Sequence, residues 1–177
     1  MTVKRVTLGR LMAKKRSGEP IVALGVYDAA TAQIADPLGF DLFVIGNSGP
    51  MSLFGHGRST SVPAPELLYM TQAVRRRTTS ALIVATMPYM SYLADEAEGI
   101  RTAAWLVAQG GADCVQCHGT HRTADKIRAI VDAGVPVLAH LGLQSVRFTE
   151  QSGYSVKGKS AEAAARMAAK PTVRLGS

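Results

Sequence analysis

Five short apolar runs constrain the fold of this chain more than any other feature. They are residues 21–24 (IVAL), 42–45 (LFVI), 81–85 (ALIVA), 112–117 (ADCVQC) and 136–139 (PVLA). Each is nearly continuous instead of alternating apolar with polar. A strand with one wet face alternates, whereas a strand covered on both faces does not, so these runs predict a parallel sheet buried between layers. Segments of helical character lie between them, over residues 29–38, 65–77, 94–109 and 122–133. Gly39, Gly110-Gly111 and Gly134 stand where those helices should stop, and Pro65 stands at a first helical position. The repeated strand-then-helix order predicts an α/β protein built from right-handed βαβ units.

The number of runs leaves two architectures. A closed eight-stranded α/β barrel takes about 250 residues, and this chain has 177. The sheet is therefore either open and doubly wound, or the first five β/α units of a barrel. The final residues, KPTVRLGS, do not read as a further strand and helix. There is no internal repeat, and the one biased segment is alanine-rich, over residues 161–169.

Composition removes several function classes. With 47% hydrophobic and 19% charged residues the chain has a core to bury. No apolar stretch approaches the length of a membrane-spanning helix, so no membrane partner is expected. Two cysteines, Cys114 and Cys117, cannot make a disulfide framework, and that usage predicts a reducing, cytoplasmic setting. The net charge of +7 includes two basic triplets, at residues 14–16 and 75–77. These runs are short and carry no interleaved aromatics, so they read as solvated faces and not as a nucleic-acid surface. The acid-free first 18 residues raise the question of a transit peptide. Leu8, Leu11 and Met12 nevertheless share one face, which predicts a short helix over residues 7–17.

In parallel α/β proteins the site lies beyond the carboxyl ends of the strands. Here those ends are residues 25–28, 46–48, 86–89, 116–119 and 140–143. The C-x-x-C-H within CVQCHGTH matches a haem-attachment pattern, and its two cysteines suggest zinc. Both readings fail on a strand, where residues three apart face opposite ways. Two buried thiols are expected instead, with Gln116 and His118 together on the interior face. A lone histidine is more often structural, but His118 and His140, at strand ends of one sheet, are the candidate functional histidines. His56 belongs to the loop FGHGRST, and His121 is expected to be exposed. That loop lacks the spacing of a phosphate cradle.

Taken in order, the segments VTLGRLMAKKRSGEPIVALGVYDAATAQIAD, VIGNSGPM, FGHGRST, YMTQAVRRRT, LIVATMPYMSY, QGGADCVQCHG, GVPVLAHLGL and GYSVKG cover most of the chain. Together they resemble the ketopantoate hydroxymethyltransferase (3-methyl-2-oxobutanoate hydroxymethyltransferase) family. The resemblance implies a (β/α)8 TIM barrel, homo-oligomers, Mg²⁺, and the basic N-terminus as the family's leading helix. It also implies hydroxymethyl transfer from 5,10-methylenetetrahydrofolate to α-ketoisovalerate in pantothenate biosynthesis. By the same resemblance Asn47, Ser48, Thr86, Gln116 and His140 would bind the small α-keto acid. The family's metal-side positions would be Asn47, Thr86 and His118.

Several positions depart from the family's pattern. Its V-G-D-S reads Ile45-Gly46-Asn47-Ser48, its A-D-[ML]-P-F-M reads Ala85-Thr86-Met87-Pro88-Tyr89-Met90, and its V-K-[LI]-E-G-G reads Val115-Gln116-Cys117-His118-Gly119-Thr120. Three acids thus become an amide, a hydroxyl and an imidazole, and a lysine becomes Gln116. The substitutions predict no tight Mg²⁺ site, and a site with His118 takes either a softer divalent metal or none. The family's catalytic glutamate belongs to a strand beyond Ser177, so no catalytic residue is assigned here. Two other readings are a non-catalytic barrel fragment completed by a partner chain, and an enzyme of the wider pyruvate-binding barrel group acting on another small α-keto acid.

Overall fold

The computed structural model describes residues 4–119, 123–149 and 153–168. Its centre is a parallel sheet of β1 (Ala23–Gly25), β2 (Leu42–Ile45), β3 (Leu82–Thr86), β4 (Cys114–His118) and β5 (Val137–His140), in the spatial order β1-β2-β3-β4-β5. A doubly wound sheet reverses direction at a switch point. This one never does: each strand pairs with the next in the chain, and right-handed crossovers then place the connecting helices on the same side. The sheet is therefore an arc of a barrel, which decides between the two architectures.

Strand alternation divides the core into two clusters. Outward-facing Phe43, Ile45, Ile83, Ala85, Val115 and Cys117 are fully or almost fully buried. They pack with Leu67 and Val74 of α4 (Ala64–Arg75), Ala103 and Leu106 of α5 (Glu96–Ala108), and Ile127 and Ile130 of α6 (Ala124–Asp132). Inward-facing Leu42, Leu82, Val84 and Cys114 form the second cluster with Val6 and with Leu11 of α1 (Leu8–Ser17). The leading helix thus closes the amino end of the arc, capped by the Thr7 hydroxyl, which accepts the Arg10 N–H. Cys114 and Cys117 fall on opposite faces as free, buried thiols. Burial pushes the Cys114 thiol up to about 12 and raises Cys117 further, so neither ionises near neutrality.

Several boundaries differ from expectation for identifiable reasons. The first run starts two residues late as a strand, because the Val22 N–H bonds the Asp41 carboxylate at 2.8 Å, leaving Ile21 and Val22 substantially exposed. The helix expected over residues 29–38 divides at Asp36-Pro37 into α2 (Ala29–Ala35) and a tight 3₁₀ turn, Asp36–Leu38. An unexpected helix, α3 (Ser48–Phe54), follows β2 despite containing Gly49-Pro50. The alanine-rich segment forms α7 (Ala161–Ala168). His121, Arg122 and the tail 170–177 lie outside the described residues. Among the described residues no helix is long and apolar enough to cross a membrane.

Asp36 is the buried carboxylate that locks this frame. It accepts the Thr79 N–H and hydroxyl at 2.8 and 2.7 Å, the Ser80 hydroxyl at 2.7 Å and N–H at 3.1 Å, and the Ala81 N–H at 3.0 Å. Burial alone would raise its pKa, but these donors overcome that and hold it down to about 2. Because the folded value lies below the unfolded one, this stabilisation is complete above about pH 4 and disappears as pH falls toward 2. Asp36→Asn, which keeps the size and removes the charge, should lower stability by about 2 kcal/mol at pH 7 in urea unfolding. The deficit should shrink as the pH approaches 2; a pH-independent deficit would show that ionisation is not its source.

Candidate functional site

At the carboxyl ends of the strands the arc holds a cavity of about 440 Å³. Asn47 and Ser48 reach it from the end of β2, Thr86 from β3, Gln116 and His118 from β4, and His140 from β5. All six positions singled out from the sequence therefore meet in one place. Parallel pairing explains the finer arrangement. Thr86 is opposite Gln116, and the Thr86 hydroxyl donates to Gln116 Oε1 at 2.9 Å. His118 is opposite His140, and their rings stack with centroids 4.7 Å apart, the spacing of neighbouring strands.

The two histidines differ in setting. His140 Nε2 lies 2.8 Å from the Leu143 carbonyl oxygen, so that nitrogen carries the proton and donates. His118 is 7% exposed, and its Nδ1 is buried with no hydrogen-bond partner among the described residues. The Tyr92 hydroxyl fixes its backbone, accepting the His118 N–H at 2.9 Å and donating to the His118 carbonyl at 3.1 Å. Burial first, and His140 second, depress the His118 pKa to about 4, so the ring is neutral at pH 7.

Tyr27 is a wall residue that sequence reasoning passed over, although it lies within the first strand-end segment. Its hydroxyl and the Ser48 hydroxyl are 2.6 Å apart. The ring lies directly against Gly49, where any Cβ would collide with it, and its hydroxyl lies over Gly25. The glycine in α3 is thus the space Tyr27 occupies. Tyr154, Ser145 and Met51 also line the cavity, brought from distant parts of the chain with no local signature. His56 does not line it, and is held in its loop by Glu66 at 2.7 Å.

No Asp or Glu lines this cavity among the described residues. Among the described residues Asn47 Oδ1 is buried without a hydrogen-bond partner, an acceptor left unsatisfied.

Comparison with known proteins decides the family. The sequence model of ketopantoate hydroxymethyltransferase matches residues 5–173. The chain belongs to the ketopantoate hydroxymethyltransferase family. It is 39% identical over 161 residues to the 3-methyl-2-oxobutanoate hydroxymethyltransferase of Thermobifida fusca (strain YX), covering 91% of this chain and 58% of that one. The enzyme of the same name from Thermoanaerobacter sp. (strain X514) is 38% identical, covering 93% and 60%. The chain thus spans about three fifths of the length of these curated relatives. Among solved structures it is similar to phosphonopyruvate hydrolase, with a TM-score of 0.63 at 15% identity, covering 81% of this chain and 53% of that one. It is also similar to 2,3-dimethylmalate lyase, a PEP mutase/isocitrate lyase superfamily member, with a TM-score of 0.57 at 17% identity, covering 74% and 51%. These likenesses carry the TIM-barrel fold.

The Mg²⁺ implied by the family resemblance does not fit these side chains. Mg²⁺ takes an octahedron of hard oxygens that usually includes carboxylate. The three metal-side positions offer the Asn47 carboxamide, a Thr86 hydroxyl already donating to Gln116, and the His118 imidazole. Among the described residues no group of three or more His, Cys, Asp or Glu is placed to hold a metal.

Two outcomes follow. The His118 ring resonances in NMR should titrate near 4 and not near 6.5, so folding stability declines as pH falls through that window; a midpoint near 6.5 would contradict the buried ring. Gly49→Ala should cost about 1–3 kcal/mol by overpacking Tyr27. Combining it with Tyr27→Ala should recover most of that loss, and additive losses would show that the ring is not the obstacle.

Proposed function

We propose that the strand-end cavity binds a small α-keto acid, with α-ketoisovalerate as the acceptor in hydroxymethyl transfer from 5,10-methylenetetrahydrofolate. The observation that supports this most is the convergence of Asn47, Ser48, Thr86, Gln116, His118 and His140 on one cavity in a member of this family. Thr86 donates to Gln116 Oε1, which turns the Gln116 amide N–H groups toward the remaining space as donors for a keto or carboxylate oxygen. The Ser48–Tyr27 hydroxyl pair supplies a further donor at the opposite wall. His140, held by the Leu143 carbonyl, packs the His118 ring in place. Such prearranged neutral donors bind and polarise a ketone without first being reorganised.

Calorimetric titration of α-ketoisovalerate, and of oxalate as an enolate mimic, tests this reading in EDTA and again with Mg²⁺. Saturable binding that Mg²⁺ does not strengthen is expected. Thr86→Val and Gln116→Leu should each weaken it by about tenfold, the usual effect of removing a hydrogen bond to a charged ligand. A sample folded by circular dichroism that shows no saturable binding of either acid would overturn the proposal. Protein-dependent deuterium exchange at C3 of α-ketoisovalerate, followed by proton NMR, extends the test from binding to enolisation.

A further inference from the structure

The two basic triplets, far apart in the sequence, meet at the amino end of the arc. The Val6 N–H bonds the Ser80 carbonyl at 2.7 Å, which sets the approach to α1 against the start of β3. Arg5 and Arg75 hold the same carboxylate, Asp113, at 2.6 and 3.4 Å, so that approach and the last turn of α4 are neighbours. From there α1 runs toward the starts of β1 and β2, where Lys14 reaches the Pro20 carbonyl at 3.4 Å and the Asp41 carboxylate at 2.8 Å. One end of the molecule thus presents Arg76 and Arg77 on one side and Lys15 and Arg16 on the other. The length of α1 separates them, about 15 Å for a helix of 10 residues.

All four of these side chains are exposed, and none makes an ion pair among the described residues. The acids around them are already engaged. Asp41 and Glu19 both pair with Lys14, Asp113 lies between Arg5 and Arg75, and Asp36 is filled by donors of residues 79–81. Asp132, exposed at the end of α6, lies ahead of β5, two strands beyond β3. A helix C-terminus carries only about half a negative charge, far less than these four cations supply. Like charges facing water on one surface attract an anionic partner and steer its approach. The chemistry of that partner follows from what the face already binds. Every ion pair its cations make is with a carboxylate, and arginine forks fit carboxylates bidentately. Neither α1 nor residues 76–80 carry an aromatic ring on which bases stack, which disfavours a single-stranded nucleic acid.

We propose that the amino end of the arc is a docking surface for an acidic segment of a partner protein, lying along α1 between Lys15–Arg16 and Arg76–Arg77. An extended segment of about five residues covers that span. This inference does not depend on the keto-acid reading, whose cavity is at the opposite end of the strands. Calorimetry with acetylated hexaglutamate at low salt tests it. Saturable binding that weakens as salt is added is expected. Lys15→Gln with Arg16→Gln, and separately Arg76→Gln with Arg77→Gln, should each weaken it about fivefold, the effect of losing two exposed ion pairs. Arg101→Gln with Arg128→Gln removes the same charge from α5 and α6 and should leave the affinity unchanged. All six side chains are exposed, so the variants should fold, which circular dichroism checks. Absence of saturable binding, or an equal loss in the Arg101 and Arg128 variant, would overturn the docking surface. Tighter binding of an oligothymidylate of matched charge would overturn the assignment to an acidic protein segment.

Discussion

Side-chain alternation along strands wound in a single direction is the constraint on which everything else in this molecule depends. A strand has two faces, and here they perform different tasks. The outward residues hold α4, α5 and α6 and are apolar throughout. The inward residues change character along the barrel axis. Leu42 and Leu82 form one level, Val44, Val84 and Cys114 the next, then Thr86 and Gln116, and finally His118 and His140. The apolar end is closed by α1, and the polar end is the cavity. A slip of one residue in β4 would send Gln116 and His118 into the helix layer and Cys117 into the site, so register and function are the same requirement.

The carboxylates follow the same axis. Asp36 accepts the N–H groups that lead into β3, Asp41 accepts Val22 N–H just ahead of β1 while pairing with Lys14 at 2.8 Å, and Asp113 accepts Ile83 N–H at 2.9 Å between Arg5 and Arg75. All three lie at the amino ends of strands. There they satisfy backbone donors that no neighbouring strand reaches, which is a structural role. At the carboxyl ends, the described lining of the cavity contains no acid. Paired carboxylates thus stabilise one end of the arc, and neutral donors gather at the other.

How much of this was legible in the sequence depends on whether the causes are local. The strands were legible because burial on both faces leaves continuous apolar runs, and the site residues because parallel architecture places strand ends together. Even the opposed cysteines and the shared face of Gln116 and His118 followed from a period of two. Contacts across the chain were not legible. Asp36 reaches residues more than 40 positions away, Tyr92 fixes His118 across 26, and Tyr27 needs Gly49 from a helix with no helical signature. Such pairings leave no period and no motif.

The family resemblance and the local chemistry point in different directions at the metal, and electrostatics decides which governs. A divalent cation entering the strand-end cavity would meet Asn47, Thr86, Gln116, His118 and His140 and, among the described lining residues, no carboxylate. Losing hydration is costly for Mg²⁺, and without carboxylates nothing in the described lining offsets that loss. An anion entering the same space meets hydrogen-bond donors already oriented by Thr86 and Tyr27. On the keto-acid reading proposed above, neutral donors at these positions would favour the keto acid itself over a metal that carries it. Asn47 Oδ1, buried without a partner among the described residues, is then an acceptor suited to a hydroxyl, a water or, on that reading, the enol of the bound acid.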